Sequence, residues 1–234
     1  MSLRTWRKHI KPTRLWASAW MQLAGTGFFG RLAARLAALP VRPYRGLYLL
    51  ARLTPNGYMA PSAAVSHQNF SYGTHLFVGD RTIIFGAKGG GSINIDNDVH
   101  INQDCILETG QGGTIFVGEG SRIQPRCLLA AYKGSIHIGR DVLVAPGCAF
   151  YTYDHEFKIG KSIKQQPLVS KGGIVIGDDA WLGFGVIVLD GAKIGKGAIV
   201  GAGSLVRSTI PDRAIAVGNP ARVIRYRETE PAVQ

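Results

Sequence analysis

Acidic residues are missing from the first third of this sequence. No Asp or Glu precedes Asp80, whereas Arg4, Arg7, Lys8, Lys11, Arg14, Arg31, Arg35, Arg42, Arg45 and Arg52 all do. The remaining 155 residues carry 17 basic and 15 acidic groups, so the net charge of +12 belongs almost entirely to the N-terminal segment. Cysteine is scarce too. Cys105, Cys127 and Cys148 give no even set for a disulfide framework. Long hydrophobic runs are lacking: the apolar stretch Trp16–Gly30 spans 15 residues, short of the about 20 a membrane-spanning helix needs. It has no small-residue cleavage site behind it, so it does not read as a secretory signal. Charged residues make up 18% and hydrophobic ones 46%, which excludes a disordered chain. A cytoplasmic protein is the expectation.

What the sequence has in quantity is glycine, 31 residues dispersed at short intervals, as many tight turns require. Residues 1–57 read as a basic segment of short helices. Arg31–Leu39 is Ala/Leu-rich and stops at Pro40, and Tyr44–Leu53 ends before the turn signal Thr54-Pro55-Asn56-Gly57. Residues 58–218 form the main domain and 219–234 a C-terminal tail.

In the main domain an aliphatic or aromatic residue recurs every six positions: Ile95, Ile101, Leu107; Val117, Ile123, Leu129; Ile138, Val144, Phe150; Ile176, Leu182, Val188; Ile194, Val200, Val206. Val78 and Ile84 open an earlier, less regular coil, and Met59 and Val65 a seventh. Glycine commonly follows, as at Gly79, Gly118 and Gly183. Four places after the large residue stands a small or β-branched one, among them Val99, Ser121, Val142 and Ala180. A tube one side chain wide needs this large–small alternation. The expected fold is mainly β: a parallel β-helix of about six to seven coils, with a short α-helical N-terminal segment and a long loop excursion. The cysteines all occupy the small slot of successive coils, so a buried ladder is expected rather than a metal site or a nucleophile.

The third turn of each coil breaks the rule. Its small slot holds Gln111, Lys133 and Asp154, and the coil starts at 95, 117, 138 and 176 are spaced unevenly. Insertions therefore leave the stack at one corner, the largest spanning 156–173. Stacked strands lie about 4.8 Å apart, which gathers Glu108, Gln111, Tyr132, Lys133, Tyr153, Asp154 and His155 along one edge. Polar groups that interrupt a core rule mark an expected site. His155 is the candidate general base, because imidazole can take a proton from a hydroxyl at neutral pH. The other six are candidate acceptor-binding residues. A surface histidine at a loop entrance is the plain alternative.

The stretch Ile138–Arg225 resembles the hexapeptide-repeat acetyltransferases of the galactoside, maltose and capsular-polysaccharide O-acetyltransferase type. The resemblance rests on Asp154-His155, Ile176-Gly177-Asp178-Asp179-Ala180-Trp181-Leu182-Gly183, Gly201-Ala202-Gly203-Ser204, Ile210-Pro211 and Val217-Gly218-Asn219-Pro220-Ala221-Arg222. It implies a left-handed helix, a homotrimer with sites between subunits, acetyl-CoA as cosubstrate and no required metal. It assigns His155 as the base and Trp181 as the aromatic beside a catalytic histidine. Gly183, Ala202, Arg207 and Arg222 would hold coenzyme A. Arg207-Ser208 replaces the family's Thr-Lys, which shifts the cation by one place. The family's Asn and Asp pair before the histidine become Pro125 and Tyr132-Lys133. That departure points away from small sugars, toward a polysaccharide or a lipid-linked sugar acceptor.

Alternatives within transferases are N-acetylation of an amino sugar and acetylation of a xenobiotic. Outside them stand a β-helical carbonic-anhydrase-like metal protein, which needs three converging histidines, and a non-catalytic scaffold. The basic N-terminus has two readings. It anchors to a membrane surface through its cations and Trp6, Trp16, Trp20, Phe28 and Phe29, or it packs on the β-helix and exposes its arginines. No nucleic-acid-binding motif is present.

Overall fold

The computed structural model describes residues 11–228. Trp6, His9 and the cations Arg4, Arg7 and Lys8 lie outside them, as do residues 229–234.

Three parallel sheets wrap around one core. Face A stacks Tyr58–Met59, Phe77–Val78, His100–Ile101, Arg122–Ile123, Leu143–Val144, Trp181–Leu182, Ile199–Val200 and Ala214–Val217. Face B stacks Ala64–Ser66, Ile83–Gly86, Ile106–Gly110, Leu128–Tyr132, Ala149–Tyr151, Ile187–Leu189 and Leu205–Val206. Face C runs from Phe70–Tyr72 through Ile93–Ile95, Ile115–Val117, Ile136–Ile138 and Ile174–Ile176 to Lys193–Ile194. The chain visits A, B and C in turn, so each circuit adds one strand to each face. This is a β-helix of about seven coils.

The six-residue period sets the register. Ile95, Val117, Ile138, Ile176 and Ile194 are partners on face C. Ile101, Ile123, Val144, Leu182 and Val200 align on face A, and Leu107, Leu129, Phe150, Val188 and Val206 on face B. Met59 pairs with Val78 and Val65 with Ile84, completing the first coil. The small-slot residues of the first two turns of each coil are buried, the three free cysteines among them. Hydrogen bonding along the ladder and burial push the Cys127 thiol up to about 12 and raise that of Cys148, so neither is a ready thiolate.

The glycine after the large residue is there for a reason other than backbone conformation. A Cβ on Gly183 would stand 2.7 Å from the Ala202 nitrogen of the next coil. Close approach of stacked backbone excludes the side chain. Left-handed backbone falls two places later in these turns, at Asp98, Asp104, Asp141 and Asp179 among others.

The helical segment comprises α1 (Lys11–Met21), α2 (Phe28–Ala38), and a 3-10 turn at Tyr44–Leu47 leading into α3 (Tyr48–Ala51). The second helix begins three residues before the expected Arg31, and the short third one ends before Leu53. Ala17, Met21, Ala34, Ala37, Leu50 and Ala51 form a second core that closes over Tyr58 and Phe77 at the top of face A. The Tyr48 hydroxyl donates to Asn102 Oδ1 at 2.5 Å, and Arg52 lies 3.7 Å from Asp98. At the other end, Arg222–Tyr226 returns antiparallel to Ala214–Val217. This added strand, within the expected tail, covers the sheet edge.

Candidate active site

Every A–B and C–A turn between named strands has four residues, such as 102–105 and 96–99. The B–C turns vary in length: 67–69, 133–135 and 190–192 have three residues, 111–114 four, 87–92 six and 152–173 twenty-two. The expected irregular corner is therefore the B–C corner. Gln111, Lys133 and Asp154 do not occupy an inward slot there. All three are exposed, and Gln111 and Lys133 have left-handed backbone. The last inward positions are Thr109, Ala131 and Thr152, each fully buried. The chain turns outward just after them.

Thr152 locks this departure. Its Oγ1 accepts the Tyr132 amide at 3.0 Å and lies 3.0 Å from the Tyr132 and Gly134 carbonyls, one of which takes its proton. Beside it the rings of Tyr132 and Tyr153 stand 5.2 Å apart, with Tyr151 6.0 Å from Tyr153. Gly110 leaves space for the ring: a Cβ on it would stand 2.1 Å from Tyr132 Cε1. Glu108 completes the cluster. Burial raises its carboxyl pKa, and burial together with Glu108 raises those of Tyr132 and Tyr153. The structure thus brings Glu108, Tyr132 and Tyr153 together as a half-buried aromatic and acidic patch.

Asp154–His155 pairs antiparallel with Leu168–Val169, so the long insertion is a hairpin lying off the coil. His155 is exposed, and Asp154 faces Lys171 at 3.7 Å rather than orienting the imidazole. Two residues not singled out from sequence hold the insertion. Gln166 is buried; its Oε1 accepts from Lys158 N at 2.7 Å, and its Nε2 donates to the Lys158 and Lys161 carbonyls at 3.0 Å each. Asp190, also buried, accepts Ser170 Oγ at 3.0 Å, Gly173 N at 2.8 Å and the Lys171 amide. Asp190 stands two places after Val188, as Thr109 stands after Leu107. A carboxylate in that slot was the available signal.

The coenzyme A candidates lie elsewhere on the prism. Trp181 is half exposed on face A, and Arg222 is exposed three strands further along the same sheet, on the antiparallel end strand. Gly183 and Ala202 stack at the A–B corner, where Gly203 N donates to the Phe184 carbonyl at 2.8 Å. Small residues leave backbone accessible at Gly201-Ala202-Gly203, a surface suited to an extended amide-bearing arm. Arg207 is exposed after the last face B strand. Within one chain, Trp181 and His155 sit on different sides of the solenoid. Among the described residues, no three His, Cys, Asp or Glu side chains converge as a metal site.

Residues 173–208 match the family described as bacterial transferase hexapeptide (six repeats). The solenoid is a hexapeptide-repeat β-helix. The galactoside O-acetyltransferase of Lactococcus lactis is 52% identical over 52 residues, 22% of this chain and 25% of that protein. The chain spans about a quarter of the length of the curated relatives it matches. Among solved structures, the polySia-specific acetyltransferase NeuO superposes with a TM-score of 0.58 at 20% identity, covering 74% of this chain and 92% of NeuO. AntD, an N-acyltransferase from Bacillus cereus crystallised with dTDP and coenzyme A, superposes with a TM-score of 0.53 at 23% identity, covering 68% and 84%. These two likenesses establish the shared fold.

Proposed function

We propose that this protein is an acyltransferase that moves the acetyl group of acetyl-CoA onto a sugar hydroxyl of a polysaccharide or its lipid-linked precursor. The observation that carries the reading is the B–C corner, where an exposed histidine on an anchored hairpin borders a patch of Glu108, Tyr132 and Tyr153. Aromatic faces with one carboxylate suit a sugar, which presents C–H faces and hydroxyl donors. The galactoside O-acetyltransferase relative supports the acetyl donor and sugar class, and the coenzyme A complex of AntD supports the cosubstrate.

In this mechanism His155 takes the proton of the acceptor hydroxyl. The freed oxygen attacks the thioester carbonyl carbon, and the C–S bond of the tetrahedral intermediate breaks. The coenzyme A thiolate leaves and takes the proton back from the imidazolium. No acyl-cysteine intervenes. Trp181, Gly183, Ala202 and Arg222 hold coenzyme A on the side of the solenoid remote from their own His155. Site completion then requires a neighbouring subunit, as in a homotrimer, with Arg207 as an additional cation for the nucleotide end. Gln111, Lys133 and Asp154 border the acceptor.

Thiol release from acetyl-CoA, measured against a panel of glycans, tests the reading. His155→Ala should lower kcat about 10³-fold without altering the circular dichroism spectrum. Full activity in that variant would remove His155 from the chemistry. N-acylation of an amino sugar is a second reading, favoured by the likeness to AntD, and an amino-sugar arm in the same panel separates the two.

A further inference from the structure

The two longer N-terminal helices leave several large apolar side chains facing away from the protein. In α2 the buried residues are Ala33, Ala34 and Ala37. At 3.6 residues per turn, the opposite side carries Phe28, Arg31, Leu32, Arg35 and Leu39. Phe28 and Phe29 are 80% and 81% exposed and Leu39 73%. Helix α1 does so only in part: Ala17 and Met21 are buried, whereas Leu15 and, just beyond the helix, Leu23 are 71% and 66% exposed. The hairpin is nevertheless held in place. Trp16 Nε1 donates to the Leu36 carbonyl at 2.7 Å, and the alanine faces join the second core.

Charge narrows what covers this surface. Arg14, Arg31, Arg35, Arg42 and Arg45 are exposed in the same segment, and no acid precedes Asp80. A second copy of the chain offers a region of 17 basic and 15 acidic residues, or else more of the same positive charge. Its acidic strip of Asp98, Glu119, Asp141, Asp178 and Asp179 could meet the arginines but offers no apolar partner for Phe28 and Phe29. An anionic lipid surface complements both features of the helical face, because headgroup phosphates accept guanidinium donors while Phe and Leu enter the acyl boundary. No helix among the described residues is long and apolar enough to cross a membrane, so such a hairpin would lie in the plane of the interface.

We propose that the helical hairpin spanning Lys11–Leu39 is a docking surface for an anionic lipid bilayer. The proposal stands apart from the acetyl-transfer reading. Its test is flotation of the full chain with phosphatidylcholine vesicles, with and without about 30% phosphatidylserine, a content that gives the negative surface potential the cations need. The chain should float with the anionic vesicles only. Phe28→Ser/Phe29→Ser should weaken binding at least about tenfold, and each of Arg31→Gln and Arg35→Gln about fivefold. Raising the salt should weaken binding of the wild type. All four side chains are exposed, and the side-chain bond from Arg31 Nε to the Thr26 carbonyl is itself at the surface, so thermal unfolding should change little. Failure to bind anionic vesicles, equal binding to neutral ones, or unchanged binding of the Phe28→Ser/Phe29→Ser variant would overturn the proposal. A changed oligomeric state in that variant, with vesicle binding intact, would assign the surface to a second copy instead.

Discussion

Two corners of this β-helix close with four residues each time, while the third closes with three, four, six or twenty-two. All three are built on the same six-residue hydrophobic unit, so core burial does not explain the difference. At the A–B and C–A corners successive coils stack so closely that the Gly183 position has no room for a Cβ. At the B–C corner Thr109, Thr152 and Asp190 end the inward run with polar groups that can hold a departing strand. The tight corners preserve the stack, and the loose one presents chemistry off it.

The contrast can be broken from either side. Phe150 fills face B immediately before the His155 hairpin and is fully buried. Phe150→Ala should cost about 4 kcal/mol of stability, read by denaturant unfolding. Asp190→Ala should act locally. It leaves the Lys171 and Gly173 amides without their acceptor, a loss of about 2 kcal/mol confined to the loop. Trypsin should then cut at Lys158, Lys161 or Lys164 sooner, and transferase activity should fall about tenfold, while the global unfolding midpoint moves little. If the midpoint drops as far as in Phe150→Ala, the B–C corner is no looser than the others.

His100 offers a smaller effect at the junction between helices and β-helix. Its ring is buried against Tyr48 and Phe77, and neither ring nitrogen has a hydrogen-bond partner. Burial, reinforced by Arg122 and opposed by Asp98, pushes its pKa down to about 4. The unfolded chain therefore binds this proton at a higher pH than the folded one. Stability should be complete above about pH 6.5 and fall by about 2 kcal/mol as pH drops toward 4. His100→Phe should flatten that part of the stability profile, measured by urea unfolding across the window. Smallest of all, Cys127→Ala should cost about 1 kcal/mol and leave activity intact, since its thiol is part of the ladder. A lost activity there would revive a nucleophilic or metal role.

The six-residue period was enough to read the coil register, because a tube one side chain wide admits only one alternation of large and small residues. It also located the irregular corner. It misplaced Gln111, Lys133 and Asp154 in an inward slot because periodicity assumes that the chain stays in the coil, and here it leaves. The strand Arg222–Tyr226 carries no six-residue signal, since it pairs antiparallel outside the repeat. The clamp at Asp190 needs long-range partners that spacing does not reveal. The arrangement of the proposed site, with His155 on one side and Trp181 on another, became visible only in three dimensions.

That separation makes subunit mixing the most direct test of a site shared between chains. His155→Ala and Ala202→Trp each disable one half of the proposed site, and Ala202 is exposed enough to accept the larger ring. Unfolded together and refolded as a mixture, two nearly inactive proteins should recover about a quarter of wild-type thiol release, because random assembly of a cyclic trimer restores one interface in four. No recovery from a mixture that light scattering shows to be trimeric would place both halves in the same chain and contradict the shared site.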